Sequence, residues 1–348
     1  MLAHATSRRA RTLFASLFTL AGLLLLPAGQ AQADHEYKLF QFNMAGNTIH
    51  TGNDTTDDSN DPVMSLKASL TGDADRPVAA SINEMCRNQF LALLAELREA
   101  EPAKGWDGEF ATFKHGDPHA SDPDLCEQGG EEHDYGMALL SHEMVAGSAQ
   151  RWSLSYTSDG GETRKLMCIT LSLAKNVKAC NTHIAHLNSW TPDTDTCLDH
   201  SKQNTQIREV ADTVNNMVND QEEVILMGDF NREPTAGGGD EDCNYSKMDH
   251  LYHDTIFGGR AHGKFEEVGQ WDPNSTYDFI PRCRCGGLTF EYENDGALTR
   301  RIDFIFANAD DWTLENAEAT GVTAAPAPDK AGRVSDHKIV RGRVRIVH

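Results

Sequence analysis

Short runs of apolar and β-branched residues recur along the chain: Tyr37–Phe42, Val78–Met85, Met137–Ser141, Leu166–Leu173, Val177–Ile184, Val224–Met227, Ile302–Ala307 and Ile339–Val347. Each is bounded by Gly, Pro, Asn or Asp, residues that favour turns, and so each reads as a β-strand. Two segments follow a helical period instead. In Arg87–Ala100 the apolar set is Phe90, Leu91, Leu93, Leu94 and Leu97, and in Ser201–Val218 it is Ile207, Val210, Ala211, Val214 and Met217. Both follow a helical period, and in the second set spacings of three, four and seven place the residues on one helix face. Many strands with a few interspersed helices predict sheets covered by helices. Two long polar stretches, Gly46–Pro77 and Lys114–Asp134, are read as loops, and loops of that length are uncommon unless functional or tied by disulfides. Asp54, Asp57, Asp58 and Asp61 lie in the first without calcium-loop spacing, which makes it a solvated loop.

The strand ends carry the chemistry. Phe40-Gln-Phe-Asn43 ends in an amide, and Ser81-Ile-Asn-Glu84 sets a carboxylate in an apolar run. Asn181-Thr-His183 closes another strand, and Val224–Met227 runs into Gly228-Asp-Phe-Asn231. Arg301-Ile-Asp303 opens a strand, and Ser335-Asp-His337 precedes the last one. Each group has an ordinary role when taken alone: a turn residue, an Asx turn, a salt bridge or a histidine bonded to backbone. Burying a carboxylate near a strand is costly unless it is paired or metal-bound. Six such placements therefore predict strand ends that converge on one charged object, and a divalent cation with a phosphate meets that demand.

Composition adds context. The 348-residue chain has a net charge of −22. Arg8, Arg9 and Arg11, the apolar run Leu13–Leu26 and Ala31-Gln-Ala33 form the pattern of a signal peptide cleaved near Ala33, with a mature domain over 34–348 that is secreted. Removing those three arginines, with no Asp or Glu before Asp34, takes −22 to −25. Such a surface repels polyanions at long range and argues against gripping nucleic acid by bulk charge. A cation in a cleft reverses the sign locally, so a phosphate substrate stays open. Eight cysteines in the exported part favour disulfides over free thiols. Cys168 and Cys180 flank a hairpin, and Cys86–Cys126, Cys197–Cys243 and Cys283–Cys285 are the remaining pairings considered.

In order and type, Asn43, Glu84, His183, Gly228-Asp-Phe-Asn231, Ile302-Asp303 and Ser335-Asp-His337 resemble the endonuclease/exonuclease/phosphatase superfamily, the deoxyribonuclease I-like proteins, over about residues 36–348. The stretch Gly228–Pro234 is also similar to that of the nuclease-like B subunit of cytolethal distending toxins. Two features depart from the pattern: the lead into Glu84 is Ile82-Asn83 rather than glutamine- or glutamate-rich, and Cys283-Arg-Cys-Gly286 is extra. The resemblance implies a four-layer α/β sandwich, two mostly antiparallel sheets packed face to face with helices outside. It implies Glu84, Asn43 and Asp336 around Mg2+ (or Mn2+ or Ca2+). His337 would be held by Asp303 beside the scissile phosphate, His183 would bond a phosphate oxygen or protonate the leaving group, and Asp229 and Asn231 would orient the attacking water. The general base is left between Asp229 and His337.

The function implied is a monomeric, metal-dependent phosphodiesterase acting on nucleic acid, DNA first, with no integral membrane association. A phospholipid or sphingomyelin phosphodiesterase is the alternative, for which Leu187–Trp190 and Trp271 are the apolar candidates. An inositol-phosphate phosphatase would want a basic pocket, for which Arg282, Arg284, Arg300 and Arg301 are at hand. A silent binding module on the same fold would lack some of these positions, and all eight are present.

Overall fold

The computed structural model describes residues 36–44, 62–72, 76–114, 126–128, 131–157, 162–173, 175–186, 197–232, 247–253, 263–268, 289–291, 298–308, 312–313, 335, 337 and 339–346. In chain order the elements are β1 (Glu36–Asn43), α1 (Pro62–Thr71), β2 (Ala79–Cys86), α2 (Arg87–Ala100), β3 (Asp107–Lys114), β4 (Cys126–Gln128), β5 (Glu131–His133), β6 (Tyr135–Ser141), β7 (Gln150–Thr157), β8 (Thr163–Ser172) and β9 (Asn176–His183). There follow α3 (Cys197–Asn219), β10 (Glu223–Asp229), β11 (Phe265–Glu267), β12 (Phe290–Glu291), β13 (Leu298–Arg300), β14 (Asp303–Asn308), β15 (Trp312–Thr313) and β16 (Val340–Ile346).

Two six-stranded sheets form, ordered β15-β16-β1-β2-β6-β3 and β11-β14-β10-β9-β8-β7. Each contains one parallel pair, β1 with β2 and β9 with β10, and every other pair is antiparallel. Alternation along the strands assigns the layers. Leu39, Ala79, Leu139, Ile169, Ala179, Ile225, Met227 and Ile305 face inward and form one core between the sheets. The opposite positions of the first sheet, Phe40, Phe42, Ala80 and Ile82, pack on Leu66 and Leu70 of α1 and Leu93, Leu94 and Leu97 of α2. Those of the second, Leu166, Val224, Leu226 and Phe306, pack on Ile207, Val210, Ala211 and Val214 of α3. The result is a four-layer α/β sandwich. Each fully buried leucine contributes about 1.5–3 kcal/mol, and Leu97→Ala in the α2 face would cost about 2–5 kcal/mol.

Two stretches read as loops contain structure. Gly46–Pro77 includes α1, whose Val63, Leu66 and Leu70 follow a helical period too brief to stand out beside the aspartates. Lys114–Asp134 includes the β4–β5 hairpin, joined to the end of β2 by the Cys86–Cys126 disulfide. Cys168–Cys180 joins directly opposed residues of β8 and β9. The side chains of the other four cysteines, the leader and the aspartates at 54, 57, 58 and 61 lie outside the described residues. Among the described residues no helix is long and apolar enough to cross a membrane.

Candidate active site

The parallel pairs decide where the site forms. β1 and β2 point their carboxyl ends toward one edge of the sandwich, and β9 and β10 do the same in the facing sheet, the position at which α/β sheets bind ligands. β14, antiparallel to β10, begins at that edge with Asp303 opposite Asp229. Ser335 donates to Asn43 O at 2.7 Å, which brings the approach to β16 to the same edge and His337 with it. Along each strand the inward positions turn from apolar to polar as the edge is reached: Leu39 to Asn43, Ala179 to His183, Ile225 to Asp229, Ile305 to Asp303.

Seven of the eight residues singled out in the sequence meet there. Asn43 Nδ2 donates to Glu84 Oε1 and to Asp229 Oδ2, each at 2.9 Å. His183 Nε2 lies 3.6 Å from the same two oxygens. His337 Nδ1 lies 2.8 Å from Asp303 Oδ2, and its Nε2 lies 3.8 Å from Asp229 Oδ2. Asn231 completes an Asx turn, its backbone N–H donating to Asp229 Oδ1 at 2.7 Å, and its Nδ2 donates to Ile184 O at 3.0 Å. Asp336 lies outside the described residues. His186 is exposed.

The backbone bends to aim these groups. β2 carries a bulge between Ile82 and Met85, and Glu84 sits at φ 54°. Strict alternation would direct Glu84 to the helix side of its sheet; a bulge re-aims one side chain. Asn231 sits at φ 47°, a conformation asparagine tolerates. Left-handed backbone costs of order 1–3 kcal/mol and clusters at functional sites. Gly228 answers a different need. A Cβ there would lie 2.2 Å from Thr182 O, so only glycine lets β10 approach β9 just before Asp229.

The electrostatics differ at each group. Burial, then the neighbouring Asp303 carboxylate, push Asp229 up to about 7, against the opposing pull of His337, the Asn43 amide and the Asn231 N–H. Burial and the Arg164 guanidinium push His183 well below the ordinary histidine value. Arg164 Nη1 is 2.7 Å from His183 Nδ1, and Arg164 is held by Glu162 at 2.8 Å and by the ring of Phe113. Burial, then the Glu84 charge, raise Tyr135 well above the ordinary phenol value.

The donor set suits a hard divalent cation. One oxygen each from Glu84 and Asp229 and a ring nitrogen of His183 lie within 4.8 Å of one another, as do single ligand atoms of Asp229, Asp303 and His337. Carboxylate oxygens with room for water are the ligands magnesium, manganese and calcium take.

Several neighbours escaped the sequence reading. Tyr135, Arg164, Gln41 and Asn83 carry no motif, and only their burial in strands marks them. Thr289 is another: its buried hydroxyl accepts the backbone N–H of Ile302 at 3.0 Å and of Asp303 at 3.1 Å. Arg301, considered for a basic pocket, is instead buried against Glu267 and the ring of Phe304. The apolar candidates Leu187–Trp190 and Trp271, and Arg282 and Arg284, lie outside the described residues, as does the side chain of Arg300.

No curated protein sequence matches the chain. Among solved structures, an endonuclease/exonuclease/phosphatase from Beutenbergia cavernae DSM 12333 superimposes with TM-score 0.55 at 17% identity, over 89% of this chain and 72% of that one. The human Nocturnin catalytic domain with bound sulfate anion gives TM-score 0.54 at 12% identity, over 90% and 95%. Truncated Caenorhabditis elegans TDP2 gives 0.53 at 13%, over 90% and 98%. At such identities these likenesses establish the fold. The model of the Endonuclease/Exonuclease/phosphatase family matches residues 40–337, which span every site residue named above, and the chain belongs to that family.

Proposed function

We propose that the protein is a secreted, divalent-metal-dependent phosphodiesterase that hydrolyses nucleic acid, DNA first. The observation that carries the reading is the joining of a Glu84–Asp229–His183 cluster to an Asp303–His337 pair at one sandwich edge. Membership of the family supports phosphate-ester hydrolysis, and the two disulfides support an oxidising, extracellular setting.

In this reading Glu84 and Asn43, with Asp336, would hold the cation, which when bound would supply charge neutralisation to the phosphate and the leaving oxygen. A water attacks phosphorus as the ester P–O bond breaks. An ionised carboxylate only accepts, so Asp303 fixes the His337 proton on Nδ1 and leaves Nε2 as the nitrogen facing the reaction. Nε2 and Asp229 Oδ2, 3.8 Å apart, take up the water proton as a coupled pair. His183 and Asn231 present N–H groups to the phosphate oxygens, placed where charge develops.

The test is a substrate panel with Mg2+ and with chelator: plasmid DNA, RNA, sphingomyelin vesicles and bis-p-nitrophenyl phosphate. Chelator-sensitive cleavage of DNA and of the chromogenic diester is expected. Cleavage of sphingomyelin alone would move the substrate to lipid, and release from none would return the fold to a binding role.

A further inference from the structure

Just beneath the site the sheets are joined by amides rather than hydrocarbon. Asn83 Oδ1 accepts from Gln41 Nε2 at 2.8 Å and from the backbone N–H of Asp229 at 3.1 Å. Asn83 Nδ2 donates to Asn181 Oδ1 at 2.9 Å and to Thr182 O at 3.1 Å. An amide offers two donors and two acceptor positions, so Asn83 is saturated. Three of its four bonds cross to the opposite sheet. Gln41 is directed in the same way: Ser81 Oγ donates to its Oε1 at 2.5 Å, and its Nε2 also stands 3.4 Å from Asp303 Oδ1. Asn181 Nδ2 closes the network on Ala138 O at 2.8 Å and Ile82 O at 3.2 Å, back on the first sheet. Gln41, Ser81, Asn83 and Asn181 expose no surface.

We propose that Asn83 and Gln41 are positioning residues of this site, forming a buried inter-sheet clamp that sets Asp229 and Asp303 on one sheet against Glu84 and Asn43 on the other. The need arises because the site is divided between two sheets. Below the clamp the contacts are apolar, from Leu39, Ala79, Ala179, Ile225 and Ile305, and apolar contact has no preferred direction. Hydrogen bonds have angular preferences, and a saturated network admits one arrangement. Such a network adds little net stability over a well-packed apolar layer, since each bond replaces one to water. Its product is registration. Asn83 also adjoins Glu84, which sits at φ 54° within the bulge between Ile82 and Met85. The Ile82-Asn83 lead into Glu84, a departure from the family pattern, thereby gains a role: the amide beside the carboxylate reaches across the sandwich and meets Gln41.

The inference rests on the phosphodiesterase reading, and its test separates the two. Gln41→Leu, Asn83→Leu and the exchanged pair Gln41→Asn with Asn83→Gln are compared with the unaltered protein. The readouts are Mg2+-dependent hydrolysis of bis-p-nitrophenyl phosphate, Mn2+ affinity by calorimetry, and thermal unfolding of the metal-free protein. Each single variant is expected to lower kcat roughly 10–100-fold with KM little changed, and Asn83→Leu to weaken Mn2+ binding over a similar range, as for groups that orient metal ligands. The exchanged pair keeps both amides and their summed length, and is expected to recover kcat above either single variant. Folded single variants with near-normal kcat, their defect confined to the melting temperature, would overturn the clamp. If Asn83→Leu does not fold, Gln41→Leu decides, because its bonds are to side chains alone. If the unaltered protein turns over no diester, the phosphodiesterase reading fails. The Mn2+ titrations then judge the clamp, and unchanged affinities in the variants would sink it.

Discussion

His183 and His337 stand at one edge of the sandwich in opposite electrical surroundings. His337 is backed by the Asp303 carboxylate and His183 by the Arg164 guanidinium. A guanidinium has no acceptor, so the approach of Arg164 Nη1 to Nδ1 makes that nitrogen the acceptor and leaves the single proton of a neutral ring on Nε2. Asn231 Nδ2 also stands 3.1 Å from Nε2, but a neutral imidazole accepts once, and the shorter, charge-assisted contact takes that lone pair. His183 is therefore suited to donating a hydrogen bond, and His337 to accepting a proton. His337→Ala is expected to lower kcat by about 10²–10⁴, the span of general acid–base catalysis. His183→Ala should also impair turnover while both variants keep the unaltered circular dichroism spectrum. Folded variants with unaltered rates would refute these roles. Asp229 allows a test without substrate. Its value is raised from 3.8 to about 7, so between those pH values the folded protein binds the proton that the unfolded chain has lost. Stability from this group is therefore full below pH 3.8 and is lost as pH rises toward 7. In chelator, the melting temperature of Asp229→Asn minus that of the unaltered protein should rise between pH 5 and pH 8. A flat or falling difference would contradict the assignment.

At the scale of elements, the edge that gathers these residues is built from departures from regular strands. Gly228 is the sharpest, because a Cβ would meet Thr182 O at 2.2 Å and Thr182 C at 3.0 Å, both backbone atoms that cannot swing away. Gly228→Ala is expected to destabilise the protein by about 1–3 kcal/mol or more, seen as a lower urea midpoint, and to reduce turnover by displacing Asp229. An unchanged midpoint would mean that β9 and β10 separate freely at this point. Such devices also explain what the sequence disclosed. Strands buried on both faces, such as β6 and β10, are nearly continuous apolar runs and were legible. β3 and β7 escaped because they are the sheets' outermost strands, where residues such as Asp107, Glu109, Gln150 and Arg151 interrupt the apolar pattern. Asn43, His183, Asp229, Asp303 and His337 were legible because strong polar residues at strand ends demand a reason. The bulge at Glu84 was not, since a one-residue insertion is visible only against the partner strand. Gln41, Asn83 and Arg164 were hidden for a related reason. The partners that tie them to the site lie 19 to 262 positions away in the chain, and an amide or a guanidinium in a strand bears no local mark of what it will meet.

For the whole molecule, the decisive quantity is the conflict between a net charge of −22 and the polyanionic substrate proposed above. Most nucleic-acid-binding proteins derive affinity from Lys and Arg contacts to phosphates, and salt weakens them in proportion to the number of those contacts. Here the carboxylates of Glu84, Asp229 and Asp303 converge at one edge, so in the absence of a cation a phosphate brought to that edge is repelled. A divalent ion among those oxygens would reverse the sign locally. Binding of DNA should then be gated by metal and limited to a few phosphates. With His337→Ala, which slows cleavage, fluorescence anisotropy of a labelled duplex is expected to report binding in Mg2+ and none in chelator. In Mg2+, the slope of log K against log salt should correspond to about one to three phosphate contacts, against the six to ten of a protein that holds DNA by basic residues. Adding Glu84→Gln should shift the Mg2+ titration of this binding to higher concentration, because the amide removes a formal charge from the ligand cluster. Tight binding in chelator, or a steep salt slope, would place the affinity on basic groups elsewhere and detach substrate capture from the carboxylate edge.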